Sequence, residues 1–211
     1  MKINYLSIDG KFYENEDRGR FTFLDEQTAL AILCDGMGGL SLGAEAAEIV
    51  STSLETYVID NYKKIDDVNS LLLYALTYAD EKLKESSIAN KSNMGTAVAV
   101  ILITADTLYY TWQGNVRIYA NKDNEISCLT EDHVLNIGYN RYALSRCLKG
   151  CGLRDDVPCQ SISRKDIKKL FLCSDGFYNK YERLLYSTSF EDIKSRISQP
   201  EDDASLIEIY L

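Results

Sequence analysis

Apolar positions along the chain switch between two periods. Over residues 3–8 and 19–24 they alternate with polar ones and include aromatic and β-branched side chains, the pattern of strands with one covered face. Residues 28–34, TALAILC, form a nearly unbroken apolar run and read as a third strand, ended by Asp35-Gly36. Glycines 36, 38, 39 and 43 then predict a tight turn. From Ala44 the period becomes helical, because Ala46, Ala47, Ile49, Val50, Leu54, Tyr57 and Val58 fall on one face. Val68, Leu71, Leu72, Ala75, Leu76, Ala79 and Leu83, spaced by threes and fours, predict a second helix with Asp66 or Asp67 as its cap.

Strands return at 96–104, 107–113, 115–120 and 125–130, and the short gaps between them predict antiparallel hairpins. Residues 159–164 and 169–174 read as two further strands, 190–198 as a short helix, and 204–210 as a last strand. This order predicts an α+β domain over 1–211, antiparallel sheet covered by helices, and not an alternating parallel fold.

Composition adds exclusions. With 211 residues, 45% hydrophobic and 26% charged, the chain is long enough to bury a sizeable core. Its start lacks a basic stretch followed by an apolar one, so no secretory leader is expected. The longest apolar run, 97–103, is too short to span a bilayer, which makes a cytoplasmic protein without membrane partners the expectation. A formal net charge of −9 argues against a nucleic-acid partner, which needs clustered Lys and Arg. Cys34 and Cys173 lie in apolar runs and read as core residues. Cys147, Cys151 and Cys159 lie nearer each other, but no CxxC pair accompanies the lone His133, against a zinc site.

The acidic residues carry the candidate chemistry. Ile32-Leu33-Cys34-Asp35-Gly36 and Phe171-Leu172-Cys173-Ser174-Asp175-Gly176 each deliver an aspartate from the end of an apolar strand, with glycine next. Such a strand holds a carboxylate rigidly, and glycine lets the backbone approach a ligand. Asp202-Asp203 precedes the last strand, and Glu16-Asp17 lies between the first two. Taken singly, each reads as an ordinary acidic turn or loop. Taken together, they make an oxygen-rich donor set suited to magnesium or manganese.

The ordered segments Asn15-Glu16-Asp17, Asp35-Gly36-Met37-Gly38-Gly39, Gly95-Thr96-Ala97, Gly114-Asn115-Val116-Arg117, Thr130-Glu131-Asp132-His133, Ser174-Asp175-Gly176 and Asp202-Asp203-Ala204-Ser205 resemble the PPM family, the type 2C protein phosphatases, over nearly the full length. The resemblance implies a four-layer αββα sandwich around two antiparallel sheets. It implies two Mn2+ or Mg2+ ions. Asp35 would bridge them, the Gly36 carbonyl and Glu16 would bind one, and Asp175 and Asp202 the other. Asp17 and Asp203 would stand behind these ligands, Asp203 where the family usually has asparagine. The implied reaction is hydrolysis of phosphoserine or phosphothreonine by direct attack of metal-activated water. The implied partners are a phosphoprotein substrate and a cognate kinase. A phosphatase-like domain that binds such a partner with little turnover, and a small-metabolite phosphatase, are the alternatives.

Several positions depart from the family. Phe12 stands where an arginine usually grips the substrate phosphate, leaving Lys11, Arg18 or Arg20 to supply the charge. Asn115 replaces an aspartate that helps hold a third metal, so that site is expected to be weak or absent. Met37 replaces a histidine that some members carry, and His133 matches a segment read as structural. Residues 176–201 form a shorter link between Asp175 and Asp202 than the family usually has.

Overall fold

The structure, a computed structural model, describes residues 1–11, 14–37, 42–138 and 142–211. Two five-stranded antiparallel sheets lie at its centre. The first has the order β10-β5-β4-β3-β2, built from β2 (Asp17–Phe23), β3 (Ala29–Gly36), β4 (Thr96–Ile103), β5 (Thr107–Gln113) and β10 (Cys159–Ser163). The second has the order β1-β12-β11-β6-β7, built from β1 (Lys2–Ile8), β6 (Arg117–Lys122), β7 (Glu125–Cys128), β11 (Ile167–Cys173) and β12 (Ala204–Tyr210). A separate small hairpin joins β8 (Val134–Asn136) to β9 (Tyr142–Leu144).

Three apolar interiors separate four layers. Val98, Val100 and Leu102 of β4 point to α1 (Gly43–Asn61) and α2 (Val68–Asn90), while Ala97, Ala99, Ile101 and Ile103 point into the seam between the sheets. Every residue of β4 is therefore buried, which is why its sequence is apolar without alternation. On the far side, Phe171, Cys173 and Leu206 pack against Phe177 of α3 (Asp175–Tyr181) and Ile193 of α4 (Phe190–Arg196). The α+β sandwich expected from the sequence is the fold observed. Helix α2 begins at Asp67, whose carboxylate accepts from the Ser70 backbone N–H at 2.9 Å. No helix among the described residues is long and apolar enough to cross a membrane.

Two features differ from the expectation. Strands β5 and β6 do not form a hairpin. The chain leaves one sheet at Gln113 and enters the other at Arg117. Gly114 makes this step at φ +113°, and a Cβ there would lie 2.4 Å from that of Ala97, so the short gap is a crossover that only glycine fits. The other difference lies in elements too short to show a period: β8, β9, α3 and the 3-10 turn Glu182–Tyr186.

Candidate active site

All the candidate acids lie at one end of the sandwich. Sheet pairing sets Asp17 of β2 directly opposite Asp35 of β3, and Asp35 opposite Ala97 of β4. Directly opposed side chains in neighbouring strands share a face, with Cβ atoms about 4.5–5.5 Å apart, so this is a cross-strand pair of like charges. The second sheet contributes Asp175, at the junction of β11 and α3, and Asp202-Asp203, just before β12. Glu16, Asp35, Gly36, Met37, Asn115, Asp175, Glu201, Asp202 and Asp203 line one cleft of about 620 Å3. A wider hollow of about 700 Å3 around Asp106 and Arg164, at the opposite end of the strands, gathers no comparable set of acids.

Backbone and glycine placement hold the acids in this end. A Cβ on Gly43 would lie 2.5 Å from the Glu16 Oε2, so the bare start of α1 makes room for that carboxylate. A Cβ on Gly36 would lie 2.5 Å from the Gly43 carbonyl oxygen, which keeps the Asp35-Gly36 corner against the helix start. Asp203 ties its own loop to both ends of the loop between β1 and β2. Its Oδ1 accepts from the Gly10 N–H and its Oδ2 from the Glu16 N–H, both at 2.7 Å. Behind it, the Ser174 hydroxyl donates to the Asp203 carbonyl at 3.1 Å and accepts from the Ser205 N–H at 2.9 Å.

The electrostatics follow from burial and crowding. Burial raises the Asp17 carboxyl to about 8, with Asp203 and Asp175 adding to the rise and the nearby Ser205 and Ser174 hydroxyls opposing it. Asp35 is pushed well above the carboxylate range by burial and by Asp17, Asp175 and Asp202. Asp175 rises to about 6 from burial and Asp202, against the Gly176 N–H and the Asn115 amide. Glu16 rises through burial and Asp203. The Asp17 Oδ2 is buried without a hydrogen-bond partner. None of Glu16, Asp17, Asp35, Asp175 or Asp202 makes an ion pair with Lys or Arg among the described residues. As these side chains lie, no three His, Cys, Asp or Glu of the described residues close around an ion. An open, uncompensated, all-oxygen set with an orphaned carboxylate oxygen nevertheless has the chemistry of a site for hard divalent cations.

The cations expected to hold phosphate go elsewhere. Strand alternation puts Arg18 and Arg20 on the face of β2 away from Asp17, toward α1. Arg20 binds Glu48 and Glu55 there, and Arg18 donates to the Asn15 and Asp17 carbonyls and pairs with Glu48 at 3.4 Å. Neither lines the cleft. Lys11 lies near its mouth, 3.6 Å from Glu201. Phe12, Gly38 and Gly39 fall outside the described residues. His133 lies flat against Trp112, centroids 5.7 Å apart, and its Nδ1 accepts from the Gly114 N–H at 3.2 Å, so it fixes the crossover between the sheets.

Sequence reasoning missed Lys149 and the β8–β9 residues Val134, Tyr142, Ala143 and Leu144, which line the same cleft. No periodic or motif signal marks them. It also missed Asp80, a buried acid on the apolar face of α2 that binds the backbone N–H groups of Lys149, Gly150 and Gly152.

Comparison with known proteins agrees with this fold. The serine/threonine phosphatase Stp of Listeria welshimeri is 25% identical over 221 residues, covering 90% of this chain and 81% of that one. The solved structure of the serine/threonine phosphatase Stp1 from Staphylococcus aureus superposes with a TM-score of 0.85 at 20% identity, covering 100% of this chain and 94% of that one. The catalytic domain of the serine/threonine protein phosphatase PstP, solved in complex with two manganese ions, gives 0.72 at 19% identity over 98% of this chain and 96% of that one. These two structures share its fold. The family model described as protein phosphatase 2C matches residues 13–209, so the chain belongs to the protein phosphatase 2C family.

Proposed function

We propose that this chain is a metal-dependent protein phosphatase that removes phosphate from phosphoserine and phosphothreonine. The observation that carries the reading is the convergence of Glu16, Asp35, Asp175 and Asp202 from both sheets on one cleft with no cationic side chain paired to them. When bound, divalent cations supply Lewis acidity toward phosphoryl oxygens and an acidified water for attack on phosphorus.

Glu16, Asp35, the Gly36 carbonyl, Asp175 and Asp202 would hold two such ions, manganese or magnesium. Asp35, from the first sheet, and Asp175, from the second, are the ligands whose relative position the sandwich itself fixes. Asp17 stands behind Asp35, its register partner. Asp203 holds Glu16 and Gly10 by their backbone N–H groups and leaves ligation to its neighbours. Asn115 donates to Asp175 and brings no charge of its own, so a third ion is bound weakly or not at all. The substrate is a phosphoprotein, and the kinase that forms its phosphoester is the implied counterpart, with both proteins in the cytoplasm.

The test is hydrolysis of p-nitrophenyl phosphate and of phosphoserine and phosphothreonine peptides with manganese or magnesium present. Asp35→Asn and Asp175→Asn should each reduce turnover by at least roughly 10²–10³-fold, the scale of losing a main charge-stabilising group. Wild-type protein that binds manganese but turns over no phosphopeptide would mean that the domain binds phosphoproteins and does not hydrolyse them.

A further inference from the structure

We infer that Lys149 is the side chain that grips the substrate's phosphoryl group, in place of the arginine absent at position 12. This rests on the phosphatase reading and adds a specific residue to it. Among the described residues, Lys149 is the one Lys or Arg lining the cleft that also holds Glu16, Asp35, Asp175 and Asp202. Among the described residues it makes no ion pair. Its ammonium lies beside the Cys147 thiol, a neutral and weak acceptor, which leaves its charge available to an anion. Lys11, Arg18 and Arg20 are by contrast each paired with glutamate.

The backbone under Lys149 is built to hold it still. On one side, Leu148 and Thr96 exchange backbone hydrogen bonds, each 3.0 Å long, at the start of β4, next to Ala97, the register partner of Asp35. On the other side, Asp80 of α2, 4% exposed, accepts from three backbone N–H groups. Its Oδ1 takes Lys149 at 3.1 Å and Gly150 at 2.7 Å, and its Oδ2 takes Gly152 at 2.7 Å. Gly150 sits at φ +71°, and a Cβ on it would lie 2.6 Å from the Lys84 Cα, so the segment is pressed directly onto α2. A buried carboxylate whose hydrogen bonds all go to one loop fixes that loop's path. Here the loop sets a lysine in the wall of the acidic cleft. Asp80 is thus a positioning residue, acting through Lys149.

A lysine serves as a point charge on phosphate, so arginine should substitute for it in part. The test uses protein loaded with manganese and reads three quantities for wild type, Lys149→Ala, Lys149→Arg and Asp80→Asn. They are the calorimetric Kd of inorganic phosphate, KM and kcat for p-nitrophenyl phosphate, and the same constants for phosphopeptides with neutral or acidic flanks. Lys149→Ala should weaken phosphate binding and raise KM for every substrate by about tenfold, the scale of one hydrogen bond to a charged group. Lys149→Arg should restore most of this at unchanged melting temperature. Asp80→Asn should shift Kd and KM in the same direction, and adding Lys149→Ala to it should cost little more. An unchanged phosphate Kd in Lys149→Ala overturns the inference. So does a KM effect confined to acidic peptides, which would make Lys149 a reader of flanking residues. Wild-type protein that binds phosphate through Lys149 without turnover would count against the phosphatase reading while sustaining this one.

Discussion

The Asn115 amide donates to the Asp175 Oδ2 at 2.9 Å, so a neutral donor occupies the place beside Asp175 where another carboxylate would add charge. Asn115→Asp should therefore create a weak additional cation site, improved by about tenfold or more in affinity over wild type, since one unit charge at short range is worth more than a 1.4 kcal/mol step. Manganese calorimetry reads the number of sites directly. Equal site counts and affinities in both proteins would show that the amide is not what limits the third ion.

The crowded acids make metal-free protein sensitive to pH in a defined direction. Asp175 and Asp17 titrate at about 6 and about 8 in the fold, against 3.8 for an ordinary aspartate. A raised carboxyl pKa means that the folded state holds the proton more tightly than the unfolded chain. Its contribution to stability is complete below 3.8 and is lost as pH rises through 6 and then 8. In EDTA the melting temperature should fall between pH 5 and pH 8.5. Manganese should raise it, and more at the higher pH, by the equivalent of about 2.7 kcal/mol at a hundredfold excess over Kd. A flat profile that ignores manganese would contradict the cluster's proposed role.

Asp203 is irreplaceable by its usual counterpart for a countable reason. Both its oxygens accept backbone N–H groups, from Gly10 and Glu16, whereas asparagine offers one acceptor and one donor. Asp203→Asn should cost about 1–3 kcal/mol in urea denaturation. It should also weaken manganese binding, because Glu16 loses the bond that places it. Unchanged stability would mean that the two loops are held by other contacts.

Glu208 is fully buried in β12 and bonded to Lys169 at 2.8 Å and to Asn4 at 2.9 Å. Glu208→Ala strands the Lys169 ammonium and should destabilise the fold by about 3–5 kcal/mol. The double replacement Glu208→Met with Lys169→Met should cost clearly less than the single change, because both charges leave together. Chemical denaturation of the three variants checks the order.

Periodicity made most of the sandwich legible. The helical face from Ala46 to Val58 and the run at 97–103 had one physical reading each, since a continuous apolar run of that length suits a strand covered on both faces. The β5–β6 relation was not legible. A gap of this length serves a hairpin or a crossover equally, and the deciding fact is the contact between Gly114 and Ala97. Within the site, Asp35 and Asp175 announced themselves by ending apolar strands. Lys149 and Asp80 did not, because an exposed lysine in a loop and an acid on a helix have many uses. What singles them out is three hydrogen bonds linking positions about seventy residues apart.

The narrow contact at Gly114 also says where the spacing of the acids is recorded. Asp35 belongs to one sheet and Asp175 to the other, so their separation is a thickness. Near them Gly114 comes down on Ala97, in an interior that also holds Leu33, Trp112, Val116 and Leu172. The bare Gly114 against Ala97 is where the chain crosses between the two sheets at their closest described approach to the acids. Residues that do not line the cleft thus bear on the spacing of its acids. An added methylene at Ala97 would act on the chemistry as a shim acts on a bearing.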